Sequence, residues 1–431
     1  MINTIEIKNF KSTSNLTLDL GRVNVFIGEN GSGKSTILEA LTMAGAAEAN
    51  RLDEEFLELR GIRVASPKLM RSAFKSDNCE ESIEISVMSK VDDPEVAHLH
   101  GTEIERHYRM SNDNKTFSEW KVKKQTDVQG MAGDPVKKTD FEGFVSFLEM
   151  MYTLTKNGID KDTLSKLYKS ANISYEIGRN YLDEEQVAYY LESYKDIHLF
   201  AKFFNDVFDD IKKFAIFSPQ VEQLKELNRE SKLKPLGIYG EGLLTLLNEI
   251  FIKQPEAIED IEEGLELIGW YENFHINYES EFPSQSLIIK DTYVKSINLE
   301  LRNANEGFLY MLFYMALFVS KDTPKIFAID NIDAALNPKL CQALIEQLVK
   351  LSKKYDKQVF LTTQNPAVLD GIDLGDDEQR IFVVSRNKRD GSTKAKRLTM
   401  KDKPKDSNGE PIRLSEAMLR GYIPNALPKG F

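Results

Sequence analysis

The first thirty residues contain three short strand-like runs, of which the first two alternate apolar and polar positions with the period of a half-buried β-strand. The runs cover residues 5–8, 16–20 and 23–27, and the last of them ends at Gly28. From Lys34 onward the apolar positions recur at helical spacing. The pattern therefore predicts three strands, a glycine-rich turn and a helix at the start of the chain.

The middle of the chain predicts a mixed lobe that is interrupted by helices. Alternating runs at 82–87 and 104–120 predict an antiparallel meander that completes a first lobe over 1–139. Residues 140–212 carry helical stripes without a sustained heptad, which predicts a compact helical insertion rather than a long coiled coil. A connector over 213–300 begins with a strand at 213–217 and a helix after it. Within the connector we expect a helical pair at 242–269 and strands at 274–278 and 287–294.

The last third has a regular alternation of helices and strands. Helices are predicted at 306–319 and 339–355, and strands at 325–329, 358–362 and 380–384. The strands are almost wholly apolar, which is typical of parallel strands covered on both faces. We therefore expect a second lobe over 301–403, a tail over 404–431 with a short helix at 414–419, and an α/β fold of two lobes overall.

Composition and charge narrow the class of protein. The chain has 431 residues, 41% of them hydrophobic and 29% charged, with a net charge of -12 and two cysteines far apart. No run of about 18 apolar residues occurs, and the first residues alternate like a strand rather than like a signal peptide. These features predict a soluble, reduced, cytoplasmic protein that does not enter a membrane.

One basic segment stands out against the acidic background. Residues 386–405 contain nine lysines and arginines and only two aspartates. A net charge of -12 argues against general nucleic-acid binding, because counterion release requires clustered cations. Nucleic acid remains a candidate partner through this stretch alone.

The turn between the third strand and the first helix has the composition of a phosphate-binding loop. Glycines allow backbone N–H groups to turn inward around an anion, and the following helix dipole favours negative charge. In this pattern Lys34 reaches the β- and γ-phosphates of ATP and the hydroxyl of Ser35 binds Mg²⁺. The predicted nucleotide-binding residues here are Gly28, Glu29, Asn30, Gly31, Ser32, Gly33, Lys34, Ser35 and Thr36.

A Mg²⁺–ATP site also needs a carboxylate at the end of a neighbouring buried strand. Asp330 directly follows the apolar run 326–329 and is therefore the predicted second metal-linked residue, beside Ser35.

The residues after that strand carry a family resemblance. Asp330-Asn331-Ile332-Asp333-Ala334-Ala335-Leu336-Asn337-Pro338 resembles the combined Walker B motif and D-loop of the RecF/SMC/OLD branch of ABC-type AAA family ATPases. Asn9-Phe10-Lys11-Ser12, Asn305-Glu306-Gly307 and Thr362-Thr363-Gln364-Asn365-Pro366 fit the same branch. The resemblance covers both ends of the chain and implies an ABC/SMC-like P-loop ATPase head.

The resemblance implies roles for three further segments. Lys11 and Ser12 would line the nucleotide. Asn305 and Gly307 occupy the place of the signature motif, at the start of an apolar helix whose dipole would face a γ-phosphate. In this family that helix belongs to the partner subunit, so the resemblance implies a homodimer that sandwiches two ATP molecules and leaves a higher oligomer open. The alternative role for Asn305 is a simple helix cap.

Three residues depart from the family pattern. Asn331 replaces the glutamate that acts as general base, and its amide cannot accept a proton; the loss of a base typically lowers the rate about 10²- to 10⁴-fold. Asp333 is the nearest replacement, or else a surface residue of the D-loop. Gln364 replaces the switch histidine, and Asn305 replaces the signature serine. We therefore expect strong ATP binding with slow or conditional hydrolysis.

Several functions fit this reading. The residues after 370 lack the acidic pattern of a TOPRIM nuclease, so the chain resembles the stand-alone ATPase subunits of bacterial anti-phage systems of the Septu, PARIS and abortive-infection types. In these systems a separate nuclease or toxin executes the response. A RecF-like DNA-repair clamp and a nucleotide-gated scaffold without turnover are the alternatives. A transporter ATPase fits least, because the signature segment is not LSGGQ-like.

Overall fold

The computed structural model describes residues 1–74, 81–90, 103–114, 118–129, 206–226, 231–277, 286–405 and 409–426. The predicted helical insertion over 140–212 lies outside these residues except for a helical segment at 206–212. Cys79 lies outside them as well, whereas Cys341 is buried.

The strands and helices follow one another in a mixed α/β order. The strands are β1 (Thr4–Phe10), β2 (Thr13–Asp19), β3 (Val23–Ile27), β4 (Ile83–Lys90), β5 (Glu103–Ser111), β6 (Lys121–Gln129), β7 (Ile216–Phe217), β8 (Tyr271–Asn277), β9 (Ser286–Asp291), β10 (Leu299–Glu300), β11 (Ile326–Ile329), β12 (Gln358–Thr363), β13 (Gln379–Arg386) and β14 (Thr393–Leu398). The helices are α1 (Lys34–Glu48), α2 (Glu54–Glu58), α3 (Pro67–Met70), α4 (Val221–Lys225), α5 (Leu243–Lys253), α6 (Glu256–Glu266), α7 (Glu306–Val319), α8 (Pro338–Lys354) and α9 (Leu414–Leu419).

An antiparallel sheet of five strands covers one side of α1. Its order is β2-β1-β4-β5-β6, and every neighbouring pair is antiparallel. Ile5 and Ile7 of β1 are buried and belong to one apolar cluster with residues of α1. The predicted meander is confirmed, but its last strand begins at Lys121, beyond the segment 104–120 that the alternation suggested.

The central sheet has six strands in the order β14-β13-β3-β12-β11-β7. All pairs are parallel except β13–β14 at one edge. Every residue of β3 is buried because the sheet is covered on both faces: Phe26 packs with α1, whereas Val25 and Ile27 pack with α7 and α8. The predicted strand at 213–217 is shorter than expected, since only Ile216 and Phe217 pair with β11.

Helix α7 is the centre of the second layer. All residues from Phe308 to Val319 are buried, as expected for a helix that is apolar on every side. Gly264 of α6 allows a close approach, because a Cβ there would lie 2.1 Å from the sulfur of Met315. Neither α7 nor any other helix in the described part of the chain combines the length and apolarity that crossing a membrane requires.

Candidate functional site

The loop between β3 and α1 forms an open cradle at the carboxyl edge of the central sheet. Gly31 and Gly33 have φ angles of +72° and +109°, which a side chain would strain. A Cβ on Gly31 would meet nothing within 4 Å, whereas one on Gly33 would lie 2.0 Å from Thr393 Oγ1. Ser32 Oγ is buried and has no hydrogen-bond partner among the described residues. A glycine-rich turn that carries a hydroxyl without a partner fits a phosphate group.

Lys34 lies at the base of this cradle. Its ammonium donates to the carbonyl oxygens of Gly28, at 2.7 Å, and Glu29, at 3.0 Å. Burial lowers the pKa of Lys34, and the negative charges of Asp330 and Asp333 act in the opposite direction. The two carboxylates therefore lie near enough to favour the charged lysine.

Ser35 and Asp330 meet because the strands that precede them, β3 and β11, end at the same edge of the central sheet with only β12 between them. Asp330 follows β11, which pairs in parallel with β12, and β12 pairs in parallel with β3 ahead of the loop. The Ser35 hydroxyl lies 3.3 and 3.4 Å from the two carboxylate oxygens of Asp330. The hydroxyl of Thr362 donates to the same carboxylate. A hydroxyl next to a carboxylate offers the oxygen ligands that Mg²⁺ prefers.

Two of the three residues that depart from the family pattern, Asn331 and Gln364, lie just beyond the ends of β11 and β12. Asn331 is exposed with a φ of +58°, a conformation that asparagine tolerates better than most residues. Asp333 is half-buried and accepts from the hydroxyl of Thr363 at 2.7 Å. The side-chain amide of Gln364 donates to Asn30 Oδ1 at 2.5 Å. The structure thus brings Gln364 to the phosphate-binding loop and leaves Asp333 as the carboxylate beside Asn331.

Lys11 and Ser12 lie in the turn between β1 and β2 and face different partners. Ser12 Oγ is 3.1 Å from Thr36 Oγ1 of α1, so Ser12 adjoins the cradle. The ammonium of Lys11 is 2.9 Å from the carboxylate of Glu39, which is 1% exposed at the side chain. Its charge is therefore bound to α1 rather than directed at the loop.

Glu39 and Arg63 were missed by the sequence analysis. Arg63 Nε lies 3.0 Å from Glu39, and the guanidinium is largely exposed. Glu39 raises the pKa of Arg63, and Asp330 contributes in the same direction, which places this cation within electrostatic reach of the site. The sequence signal that could have identified Glu39 is a charged residue within the apolar run of α1.

The predicted signature segment lies on a different surface. Asn305 caps α7 by accepting from the N–H of Phe308 at 2.9 Å, and both Asn305 and Glu306 are exposed. Gly307 adjoins the D-loop of the same chain, since a Cβ there would be 3.5 Å from the Ala335 carbonyl oxygen. These residues line an open groove of about 910 Å³ together with Trp270. No residue of the phosphate-binding loop is among those that line this groove.

The basic stretch over 386–405 begins at the last residue of β13, includes β14 and continues through a short helical turn at Met400–Asp402. Arg386 points to the phosphate-binding loop and donates from Nε to the Gly31 carbonyl at 2.7 Å. Lys396 pairs with Asp402, and Arg397 pairs with Asp377 at 3.0 Å. Lys394 is exposed on the edge strand. The positive charge of the stretch is therefore divided between the loop, local ion pairs and solvent.

Comparison with known proteins identifies the family. The model of the AAA ATPase domain matches residues 1–369, which include all the segments described above except the basic hairpin. The chain belongs to the AAA ATPase domain family. It is also similar to proteins named "DNA replication and repair protein RecF", with 29% identity over 90 residues in Clostridium perfringens strain SM101 and 39% over 59 residues in Listeria welshimeri. These matches cover 20% and 13% of this chain, and 24% and 16% of the two relatives.

A solved structure supports the same fold for this AAA ATPase domain protein. The crystal structure of "the SmcHead bound to the C-winged helix domain of ScpA" is 14% identical, covers 93% of this chain and 98% of the other, and gives a TM-score of 0.51. The α/β, SMC-head type of fold expected from the sequence is therefore confirmed. Together these findings show an AAA ATPase domain with a fold like that of an SMC head and with local sequence similarity to RecF proteins.

Proposed function

We propose that the chain binds Mg²⁺–ATP in the cradle between β3 and α1. The contact of Ser35 with Asp330 carries this proposal, because it places a hydroxyl of the loop beside the carboxylate that follows the Walker B strand. Both groups offer oxygen ligands to Mg²⁺. Gly28 to Thr36 and Ser12 would surround the phosphates, with Lys34 supplying the charge at the base. Mg²⁺ would supply positive charge at the phosphate oxygens.

Hydrolysis is proposed to be slow or conditional. Asn331 is exposed at the position of the general base and has no group that can accept a proton from water. Asp333 already accepts a hydrogen bond from the Thr363 hydroxyl, so one of its two carboxylate oxygens is engaged within the protein rather than free for a water molecule. Gln364 contacts Asn30 of the loop and has no ionisable group.

The complete site is proposed to form between two copies of the chain. Asn305 and Gly307 line a groove that contains no residue of the cradle, although the resemblance assigns them to nucleotide binding. The separate groove and the implied nucleotide-binding role are compatible if the signature segment of one copy contacts the cradle of another. A homodimer with two ATP molecules between the heads has this arrangement.

At the level of the cell, we propose that this ATPase is the sensor or scaffold subunit of an anti-phage defence complex with a separate nuclease or toxin. Support comes from the resemblance to such subunits and from the proposed slow turnover, which suits a switch better than a motor. The test is phage plating on a host that carries the gene with its neighbours. Lys34→Ala should restore plaques, and Lys394→Ala should not. Equal protection by both variants would overturn the proposal.

A RecF-like DNA-repair clamp is the second candidate. The matches to RecF proteins and the exposed lysines of the basic hairpin favour it. DNA binding that depends on ATP, together with sensitivity to DNA damage in a deletion strain that is not infected, would select this function. A nucleotide-gated scaffold without turnover is distinguished by ATP-dependent dimerisation with no release of phosphate.

A further inference from the structure

The hairpin of β13 and β14 contacts the phosphate-binding loop at three successive points. A Cβ on Gly28 would lie 2.0 Å from the Val384 carbonyl oxygen, so the backbones touch. Arg386 donates to the Gly31 carbonyl at 2.7 Å, and Thr393 Oγ1 donates to the Ser32 carbonyl at 3.0 Å. The hairpin begins beyond residue 369, where the match to the family model ends.

Thr393 is built into the site rather than exposed at its rim. The residue is 1% exposed, and its backbone N–H donates to the Ser12 carbonyl at 2.7 Å. Its hydroxyl also lies 2.8 Å from Ser12 Oγ, which in turn lies beside Thr36. One buried hydroxyl therefore joins the first turn of the chain, the loop and the C-terminal hairpin.

The two carbonyl contacts fix the direction of the loop's N–H groups. A trans peptide unit is planar, so its N–H points opposite to its carbonyl. Because Thr393 holds the Ser32 carbonyl, the N–H of Gly33 must face away from the hairpin. The N–H of Ser32, in the peptide whose carbonyl Arg386 holds, donates to the Glu29 carbonyl at 3.2 Å and closes the turn.

We propose that Thr393 and Arg386 are positioning residues of the phosphate-binding loop. Thr393 holds the Ser32 carbonyl so that the Gly33 N–H is directed at the nucleotide phosphates, and Arg386 holds the Gly31 carbonyl so that the Ser32 N–H closes the turn. The proposal rests on the proposed binding of ATP. It also accounts for the glycine at 33, since a side chain there would occupy the place of the Thr393 hydroxyl.

The test compares Thr393→Val, which keeps the shape and removes the hydroxyl, with Thr393→Ser, which keeps the hydroxyl. Calorimetric titration with Mg²⁺–ATP should show a Kd raised about tenfold in Thr393→Val, the loss expected for one hydrogen bond that orients a donor to a charged group. Thr393→Ser should remain within about twofold of the wild type. The exposed neighbour Lys394→Met serves as the control and should leave the Kd unchanged.

A role in stability alone predicts a different pattern, so thermal denaturation is measured on the same variants. A wild-type Kd in Thr393→Val, or equal weakening by Thr393→Ser and Thr393→Val, would overturn the proposal. In that case Lys34→Ala should still weaken binding, so the proposed ATP site itself would stand. Failure of the wild type to bind ATP would instead reject the proposed function itself. If Thr393→Val does not fold, Arg386→Met carries the test, because Arg386 is exposed and methionine cannot donate a hydrogen bond to the Gly31 carbonyl. A wild-type Kd in Arg386→Met would then overturn the proposal.

Discussion

Two helices of this protein begin beside glycines that the family resemblance links to ATP, but their first turns differ. Helix α1 starts after Gly33, which has no side chain, so the N–H groups of its first turn remain available to an anion. Helix α7 starts after Asn305, whose side chain already accepts from Phe308. The N-terminal N–H groups of α1 are therefore free to bind a phosphate, whereas one of those of α7 is already hydrogen-bonded to the side chain of Asn305.

The segments that precede the two helices also differ in how far the rest of the chain holds them. The loop ahead of α1 is held by residues from distant parts of the chain, namely Gln364 and Arg386, and Asp330 adjoins Ser35 at its end. The segment ahead of α7 is exposed and lines an open groove. We infer that nucleotide binding needs one copy of the chain and that turnover needs two. The predictions below test that division.

The largest expected effect is at the cradle. Lys34→Ala removes the only side-chain cation that contacts Gly28 and Glu29 within the described residues. We expect the Kd for Mg²⁺–ATP to rise about a hundredfold or more, because a hydrogen-bonded charge is lost from a partly buried site. Equilibrium binding measures it, with Lys394→Ala as the control. Unchanged affinity in a folded Lys34→Ala protein would remove the cradle from the model.

The second effect concerns the signature segment. Gly307→Arg should lower turnover by about a hundredfold and leave the Kd of each chain for ATP unchanged, because the arginine would obstruct the partner's site. Gly307→Ala is the matched control, since its Cβ would be 3.5 Å from the nearest carbonyl oxygen, an ordinary contact. Steady-state phosphate release and ATP titration separate the two effects.

Mixing Gly307→Arg with Lys34→Ala sharpens this test. One mixed dimer retains a single intact site, formed by the cradle of the Gly307→Arg chain and the signature segment of the Lys34→Ala chain. Partial recovery of turnover is expected. No recovery in a mixture that is shown to co-assemble would leave a monomeric nucleotide-binding head.

The sequence predicted the elements of both regions well and their cross-contacts poorly. The bounds of α7 and β3 and the start of α1 follow from the sequence, because each lies in a run of apolar residues whose limits are marked by polar residues or glycine. The contact of Glu39 with Lys11 and that of Thr393 with Ser32 leave no periodic signal, since each is a single polar side chain reaching a distant segment. Such contacts depend on tertiary packing, so no local pattern could have revealed them.

A third, smaller effect is expected at the position of the missing base. Asn331→Glu should raise turnover roughly tenfold, which is below the usual effect of a general base. The effect is reduced because a glutamate at this position must adopt the left-handed conformation at φ +58°, which strains its backbone. Asn331→Gln has the same backbone strain without a carboxylate and is the matched control. Single-turnover hydrolysis measures both.

Asp333→Asn decides whether a base is already present. The amide keeps an oxygen that can accept from Thr363, so the local structure should persist. We expect turnover to change less than threefold. Loss of all hydrolysis in Asp333→Asn would show that Asp333 is the base and that the site is not a slow one.

The smallest effect is expected on the outer side of the hairpin whose inner side holds the cradle. Lys396 and Arg397 are engaged by Asp402 and Asp377, whereas Lys394 and Lys401 are exposed, so Lys394→Glu with Lys401→Glu changes the outer charge without breaking those ion pairs. If this surface binds DNA as in a RecF-like clamp, the double variant should weaken DNA binding about threefold at low salt. The dependence of log Kd on log salt should also become flatter, because fewer counterions are released. The double variant's Kd for ATP should equal that of the wild type, since Arg386 and Thr393 are untouched.

Fluorescence anisotropy with duplex DNA at several salt concentrations measures the change in DNA binding, and calorimetry measures the Kd for ATP. A wild type that does not bind DNA at low salt would remove the clamp function, and an altered Kd for ATP would show that the two sides of the hairpin are not independent.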